Sequence, residues 1–187
     1  MKLIGLSGKM GCGKNYIAER VIAPYFANNY NILIIGFGDQ VKNELYARDE
    51  KLTYDLLYDN KTFESRKKLQ EYATENGRDK YNKDMWVRGL DMQIETFIKR
   101  SPKPAMIIIC DVRFINEANY IRNKGGILFR IKAPQRTELR YWNEANVNEE
   151  KYNNIREHSS EIELDNYNFN YIIKNDDEIN KDFLNQI

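Results

Sequence analysis

Gly8-Lys9-Met10-Gly11-Cys12-Gly13-Lys14-Asn15 follows directly on the apolar run Leu3-Ile4-Gly5-Leu6. After it comes a helical pattern, with Ile17, Val21 and Tyr25 on one stripe and Ala18, Ile22 and Phe26 beside it. The octet therefore sits at a strand-to-helix turn. There its glycines let the backbone wrap a phosphate, its N–H groups point inward, and the helix N-terminus adds partial positive charge. This is the pattern of a phosphate-binding P-loop, and Lys14 is its mobile ammonium for the β- and γ-phosphates. The loop departs from the usual pattern at its last residue. A Ser or Thr hydroxyl there would touch Mg²⁺; Asn15 still offers a carbonyl oxygen to the metal or to one of its waters. The alternative is a loop that has lost catalysis.

Outward from the loop, apolar runs over 2–6, 32–37, 105–111, 127–132 and 169–174 read as strands, four of them continuous enough for a parallel sheet buried on both faces. Helical patterns fill 40–47, 62–75, 84–99 and 114–123, and a last one runs from Asp177 onward. Trp86, Leu90, Ile94 and Phe97 make one stripe, and Gly125-Gly126 stops the helix before the fourth strand. The expected fold is a P-loop three-layer α/β sandwich with an about five-stranded parallel sheet, in one domain over 1–187. Two stretches exceed that alternation. Residues 39–100 insert several helices and are the candidate acceptor-binding region; residues 133–165 form a charge-rich excursion and are the candidate lid.

The 187 residues suffice for one full core. Lys plus Arg number 29 against 28 Asp plus Glu, which excludes a general cationic field for nucleic acid or an anionic membrane. Any polyanion must be met by a local cluster. Cys12 and Cys110 give neither a disulfide framework nor metal-ligand spacing. With no signal-type apolar segment and no run of membrane-span length, the expected location is the reducing cytoplasm.

Asp111-Val112-Arg113 ends the strongest apolar run. An Asp at a strand's carboxyl end can hold Mg²⁺ through a water or orient the accepting group, and Arg113 presents a planar fork suited to phosphate. The plainer reading is that Asp111 caps the helix beginning near Phe114 and that Arg113 is its solvated start. Further cations lie in the two insertions: Arg66, Arg78, and Arg136 with Arg140, an i,i+4 pair on any helix. Individually such arginines are commonly surface ion-pair partners, but around a P-loop they form the set that phosphoryl transfer needs. His158, the sole histidine, reads as a structural hydrogen-bond partner, because phosphoryl transfer of this kind needs no histidine base.

Nearly end to end, the chain resembles the phage-type deoxynucleoside monophosphate kinases, a branch of the P-loop nucleoside monophosphate kinases. The resemblance rests on Gly8 to Lys14, Phe37-Gly38-Asp39-Gln40-Val41-Lys42, and the segment Leu69 to Arg78 followed by Trp86. It continues through Asp111 to Glu117 with Gly125-Gly126, His158-Ser159-Ser160-Glu161 with Leu164-Asp165, and Asn175. It implies transfer of the γ-phosphoryl of ATP to a (deoxy)nucleoside 5′-monophosphate with Mg²⁺ as cofactor. Gly8, Lys9, Met10, Gly11, Cys12, Gly13, Lys14 and Asn15 would hold the ATP phosphates, and Asn175 would lie near the ATP base. Asp39, Lys42, Arg66, Arg78, Trp86 and Arg113 would surround the acceptor, and Arg136 and Arg140 would close over the phosphates. Asn15 and Asp111 would serve the metal. The family leans towards homodimers and often carries Asp or Thr where Asn15 stands.

Three other readings share part of the pattern. A P-loop kinase for another phosphorylated acceptor, such as phosphomevalonate or dephospho-coenzyme A, would keep the loop and Asp111 without a base pocket. A GTP-switched module should carry an Asn-Lys-x-Asp signature; Asn82-Lys83-Asp84-Met85 and Asn180-Lys181-Asp182-Phe183 begin it without the final Asp. A non-catalytic nucleotide-binding module rests on Asn15 alone.

Overall fold

Five strands form one parallel sheet: β1 (Lys2–Ser7), β2 (Asn31–Ile35), β3 (Ala105–Val112), β4 (Ile127–Lys132) and β5 (Tyr171–Lys174), in the spatial order β2-β3-β1-β4-β5. The computed structural model describes residues 1–146, 148–176 and 179–187. Alternation along the central strands divides the core into two layers. Leu3, Ile107, Ile109 and Leu128 face one side, while Ile4, Leu6, Met106, Ile108, Phe129 and Ile131 face the other. That is why β1 and β3 read as unbroken apolar runs. The edge strands β2 and β5 are only partly covered.

One face is closed by the helix of residues 14–26, built from α1 (Lys14–Tyr16), a π-helical segment (Ile17–Ile22) and α2 (Ala23–Phe26). Ile17, Val21, Ala18 and Ile22 are buried and Phe26 packs on the core as expected, but Tyr25 is 57% exposed. The wider π turn, with Ala23 N–H bonded to Ala18 O, advances the stripe by about one residue. The other face is covered by α5 (Met85–Arg100) and α6 (Ile115–Asn123), whose Leu90, Ile94, Ala118 and Ile121 enter the first layer. A Cβ on Gly5 would stand 2.6 Å from Ile121 Cδ1, so this glycine sets how closely α6 approaches β1. Gly125, at φ 73°, ends α6 as expected.

Some boundaries move. Phe37, expected in the second strand, opens α3 (Phe37–Arg48), because the Asp39 carboxylate reaches back to accept from Gly36 N–H at 2.7 Å and fixes the helix start there. After a π-helical segment (Asp55–Asp59), the next α-helix is α4 (Phe63–Ala73), capped by Thr62 and prolonged by a π-helical turn (Thr74–Arg78). Phe169 precedes the fifth strand. The side-chain carbonyl of Asn170 accepts from Leu128 N–H at 2.9 Å where ladder pairing would otherwise begin. Residues 133–165 are largely helical, as α7 (Pro134–Glu144), α8 (Glu149–Glu157) and α9 (Ser159–Ile162). Of the last expected helix, Asp177 and Glu178 lie outside the described residues, and Lys181–Gln186 is a 3₁₀-helix. No described helix is long and apolar enough to cross a membrane.

Candidate active site

The loop after β1 has positive φ at Gly11 and Gly13, 78° and 91°. A Cβ on Gly13 would fall 2.3 Å from Asn175 Nδ2, and one on Gly11 would fall 2.8 Å from Arg140 Cβ, so both conformation and crowding require glycine. Asn175, one residue past β5, donates from Nδ2 to Cys12 O at 2.8 Å; its side chain therefore holds the loop itself. Lys14 curls back under the loop and donates to Gly8 O at 2.7 Å and Lys9 O at 3.0 Å. Burial pushes its ammonium pKa down, against the pull of nearby Cys12. Those carbonyls are the partners a phosphate would replace. Cys12 and Cys110 are both free thiols, and burial pushes Cys110 up to about 12.

Lys14 and Asn15 open onto a cavity of about 940 Å³ that runs from the loop to the helical insertion. Asp111 lies on its wall. Its Oδ1 accepts from Phe37 N–H at 2.7 Å and its Oδ2 from Gly38 N–H at 2.9 Å, so Asp111 caps α3. The expectation that it caps the helix near Phe114 is therefore corrected: Glu117 does that, with Oε2 accepting from Arg113 N–H at 2.7 Å and Phe114 N–H at 3.1 Å. Burial raises the pKa of both carboxyls, Glu117 to about 8. Asp39 and Lys42, also on the wall, pair at 2.6 Å, and the Lys42 ammonium lies 4.1 Å from the Tyr58 ring centre.

Arg113 is not a solvated helix start. Its Nη1 pairs with Glu161 Oε1 and donates to Ser160 O at 3.3 Å. Glu161, only 1% exposed at its side chain, also accepts from Met10 N–H and Tyr141 Oη, each at 2.8 Å. Burial alone would raise its pKa, but Arg113 and Lys14 hold it at about 2. Sequence reasoning assigned Glu161 no role, although it closes the His158-to-Glu161 stretch of the resemblance; three partners meeting on one carboxylate become visible only in three dimensions. His158 Nδ1 caps the turn of α9, accepting from Ser160 N–H at 3.2 Å. Burial pushes its pKa down, as does the charge on Arg113.

The remaining cations reach the same cavity. Arg78 donates to Asn116 Oδ1 at 3.3 Å and stacks 3.8 Å from the Phe114 ring centre. Arg66 and Arg140 both pair with Glu144, at 2.5 and 3.3 Å. Arg136 donates from Nη2 to Cys12 O at 3.2 Å and to Asn175 O, which lays the start of α7 on the P-loop. Trp86 is buried, donates Nε1–H to Ala73 O at 2.9 Å, packs against Gly77 and lines the same cavity. Lys61 is a cation without a sequence signal. It donates to Tyr58 O at 2.5 Å, and its pKa falls to about 8 through burial and the charges on Lys42 and Arg66. Among the described residues no three His, Cys, Asp or Glu side chains gather into a metal centre.

No family model matches the chain. A protein of Acanthamoeba polyphaga mimivirus, named "Putative deoxynucleotide monophosphate kinase", is 28% identical over 151 residues, covering 72% of this chain and 75% of its own. The crystal structure of TT1252 from Thermus thermophilus superposes with a TM-score of 0.55 at 15% identity, over 93% of this chain and 88% of that one. That of APE1195 gives a TM-score of 0.45 at 13% identity, over 91% and 83%. The fold is a P-loop-bearing α/β sandwich around a five-stranded parallel sheet in the order β2-β3-β1-β4-β5, and TT1252 shares its overall architecture. The five-stranded parallel sheet and its strand order place the loop after β1 at the carboxyl edge, where ligands of such sheets bind.

Proposed function

We propose that this chain transfers the γ-phosphoryl group of ATP to a nucleoside or deoxynucleoside 5′-monophosphate. The observation that carries the reading is one cavity lined by the P-loop lysine together with Arg66 and Arg78 of the helical insertion and Arg113 after β3. A nucleotide-binding module needs the lysine only; a kinase needs the arginines as well. The named activity of the similar mimivirus protein supports the same reading.

Lys14 would leave Gly8 O and Lys9 O for the β- and γ-phosphates, and the loop N–H groups would bind their oxygens. Arg78 and Arg113 would hold the acceptor phosphate so that one of its oxygens lies in line with the γ-phosphorus. That oxygen forms the new P–O bond while the bond to the β–γ bridging oxygen breaks. ADP leaves, and the acceptor becomes a diphosphate. Arg136 and Arg140 on α7 would meet the charge that spreads over the transferring group. The donor set fits Mg²⁺, which binds through few protein oxygens and takes the rest from phosphates and water: the Asn15 amide and the Asp111 carboxylate both face the cavity. When bound, the ion would neutralise phosphate charge.

The test is ADP formation from ATP and Mg²⁺ with each of the eight common ribo- and deoxyribonucleoside monophosphates in turn. Turnover with at least one supports the proposal. ADP formation that no monophosphate stimulates overturns it.

A further inference from the structure

Helix α7 touches both halves of the cavity. Near its start, Arg136 holds Cys12 O at 3.2 Å, and one turn on, Arg140 lies so close to Gly11 that a Cβ there would be 2.8 Å away. At its other end Glu144 reaches across to α4, where its Oε1 lies 2.5 Å from Arg66 Nε; its Oε2 lies 3.3 Å from Arg140 Nη2. The Glu144 side chain is 6% exposed, so its charge is withdrawn from water and compensated by those two guanidinium groups. An eleven-residue helix is about 16 Å long. One short rigid rod thus joins the phosphate loop to the insertion, and Glu144 is the joint.

Given the proposed transfer reaction, we infer that Glu144 is a positioning residue that couples the two substrates. A monophosphate that engages Arg66 sets the guanidinium with which Glu144 is ion-paired. Through Glu144 the same event sets Arg140, and with it the α7 surface that lies on the P-loop. Donor and acceptor therefore favour each other's binding. A surface i,i+4 pair between Glu144 and Arg140 alone would have no such consequence, because it stays within one helix. The link to Arg66, from a different element, makes the difference.

Coupling is measured by titrating a non-hydrolysable ATP analogue with Mg²⁺ in the absence and presence of the monophosphate that the activity assay selects, and the reverse. In the unmodified chain each ligand is expected to tighten the other about tenfold, and linkage requires the two factors to be equal. In Glu144→Gln the factor is expected to fall to within about twofold of unity. Glu144→Asp keeps the charge but retracts it by one methylene, and an intermediate factor is expected. A loss of stability alone cannot move this factor, because the folded molecules would still couple. Tenfold coupling retained in folded Glu144→Gln overturns the inference; if that variant fails to fold, wild-type coupling in Glu144→Asp does so. Absence of turnover with every monophosphate in the unmodified chain removes the proposed function and this inference with it. Turnover with unchanged coupling in the variants removes this inference alone.

Discussion

Glu161 accepts a hydrogen bond from the backbone N–H of Met10 at 2.8 Å, and so ties the tip of the P-loop to the end of the segment proposed as a lid. The same carboxylate neutralises Arg113. Glu161→Gln would leave the half-buried Arg113 without its counter-charge, and the expected loss of stability is about 2 kcal/mol. The pH dependence has a definite sign. The folded pKa of about 2 lies below the ordinary 4.5, so the ion pair contributes fully above 4.5, and its contribution disappears as pH falls towards 2. Denaturant unfolding at pH 7 and at pH 3 measures both: the gap between wild type and Glu161→Gln is expected to narrow in acid, and a constant gap would exclude the ion pair as its source.

Lys14→Met is expected to lower turnover by at least ~10²-fold, because the Lys14 ammonium lies beneath the loop, on Gly8 O and Lys9 O, where the phosphate charge must be met. The fold should not suffer. Burial already disfavours the Lys14 charge, so a methionine of similar length is expected to leave the unfolding midpoint unchanged or raise it. Near-normal turnover would remove the P-loop from the mechanism.

Lys61 gives the acceptor end a titration of its own. Lys42 on α3, Arg66 on α4 and Arg140 on α7 lower its pKa together with burial, while Asp59 alone opposes them, and it titrates at about 8. Below that pH an ammonium faces the cavity; above it a neutral amine cannot attract phosphate. The acceptor KM is therefore expected to rise above pH 8, and the rise should be absent from Lys61→Arg. Unfolding cannot mimic this, since a pKa lowered from 10.5 makes the fold gain stability between pH 8 and 10.5. Measuring KM and the unfolding midpoint over the same pH series separates the two.

Acceptor-side and donor-side arginines should differ in kinetics. Arg78→Lys and Arg113→Lys are expected to raise the acceptor KM and leave ATP affinity little changed, because lysine cannot reproduce the planar fork. Arg140→Lys should mainly depress kcat. If Arg113→Lys weakens ATP binding while sparing the monophosphate, the acceptor has been assigned to the wrong end of the cavity.

Asn15 is exposed at the first turn of α1 and lines the cavity. If its amide oxygen serves the metal, Asn15→Ala should shift the Mg²⁺ titration to higher concentration, and Asn15→Thr should keep it near wild type. An unchanged titration in the Ala variant would mean that water alone fills that coordination position.

How legible the molecule was depended on the range of the interaction concerned. The central strands could be read because burial on both faces leaves no polar alternation, and the P-loop because its glycines answer to local geometry. The exposure of Tyr25 could not, since a π turn leaves no mark in an apolar stripe. The cations were legible as residue types, but their partners were not. Asp111 caps a helix that begins 74 positions earlier, and Glu161 meets Met10 across 151. Neither separation has a periodicity to betray it. Glu144 and Lys61 carried no signal at all, because an acid in a charge-rich helix and a lysine in a loop resemble the surface residues that surround them.

Met10 belongs to the P-loop in sequence but to the helical excursion in packing: its side chain is buried with Tyr141, Ala145 and Tyr152 of α7, its following turn and α8. The two regions are therefore not interchangeable parts. A chimera that received residues 133–165 from a relative, with the loop left intact, would also receive a socket shaped for that relative's residue at position 10. Lineages can be expected to change the loop tip and this helical pair together, and an engineer who regrafts one should carry the other along.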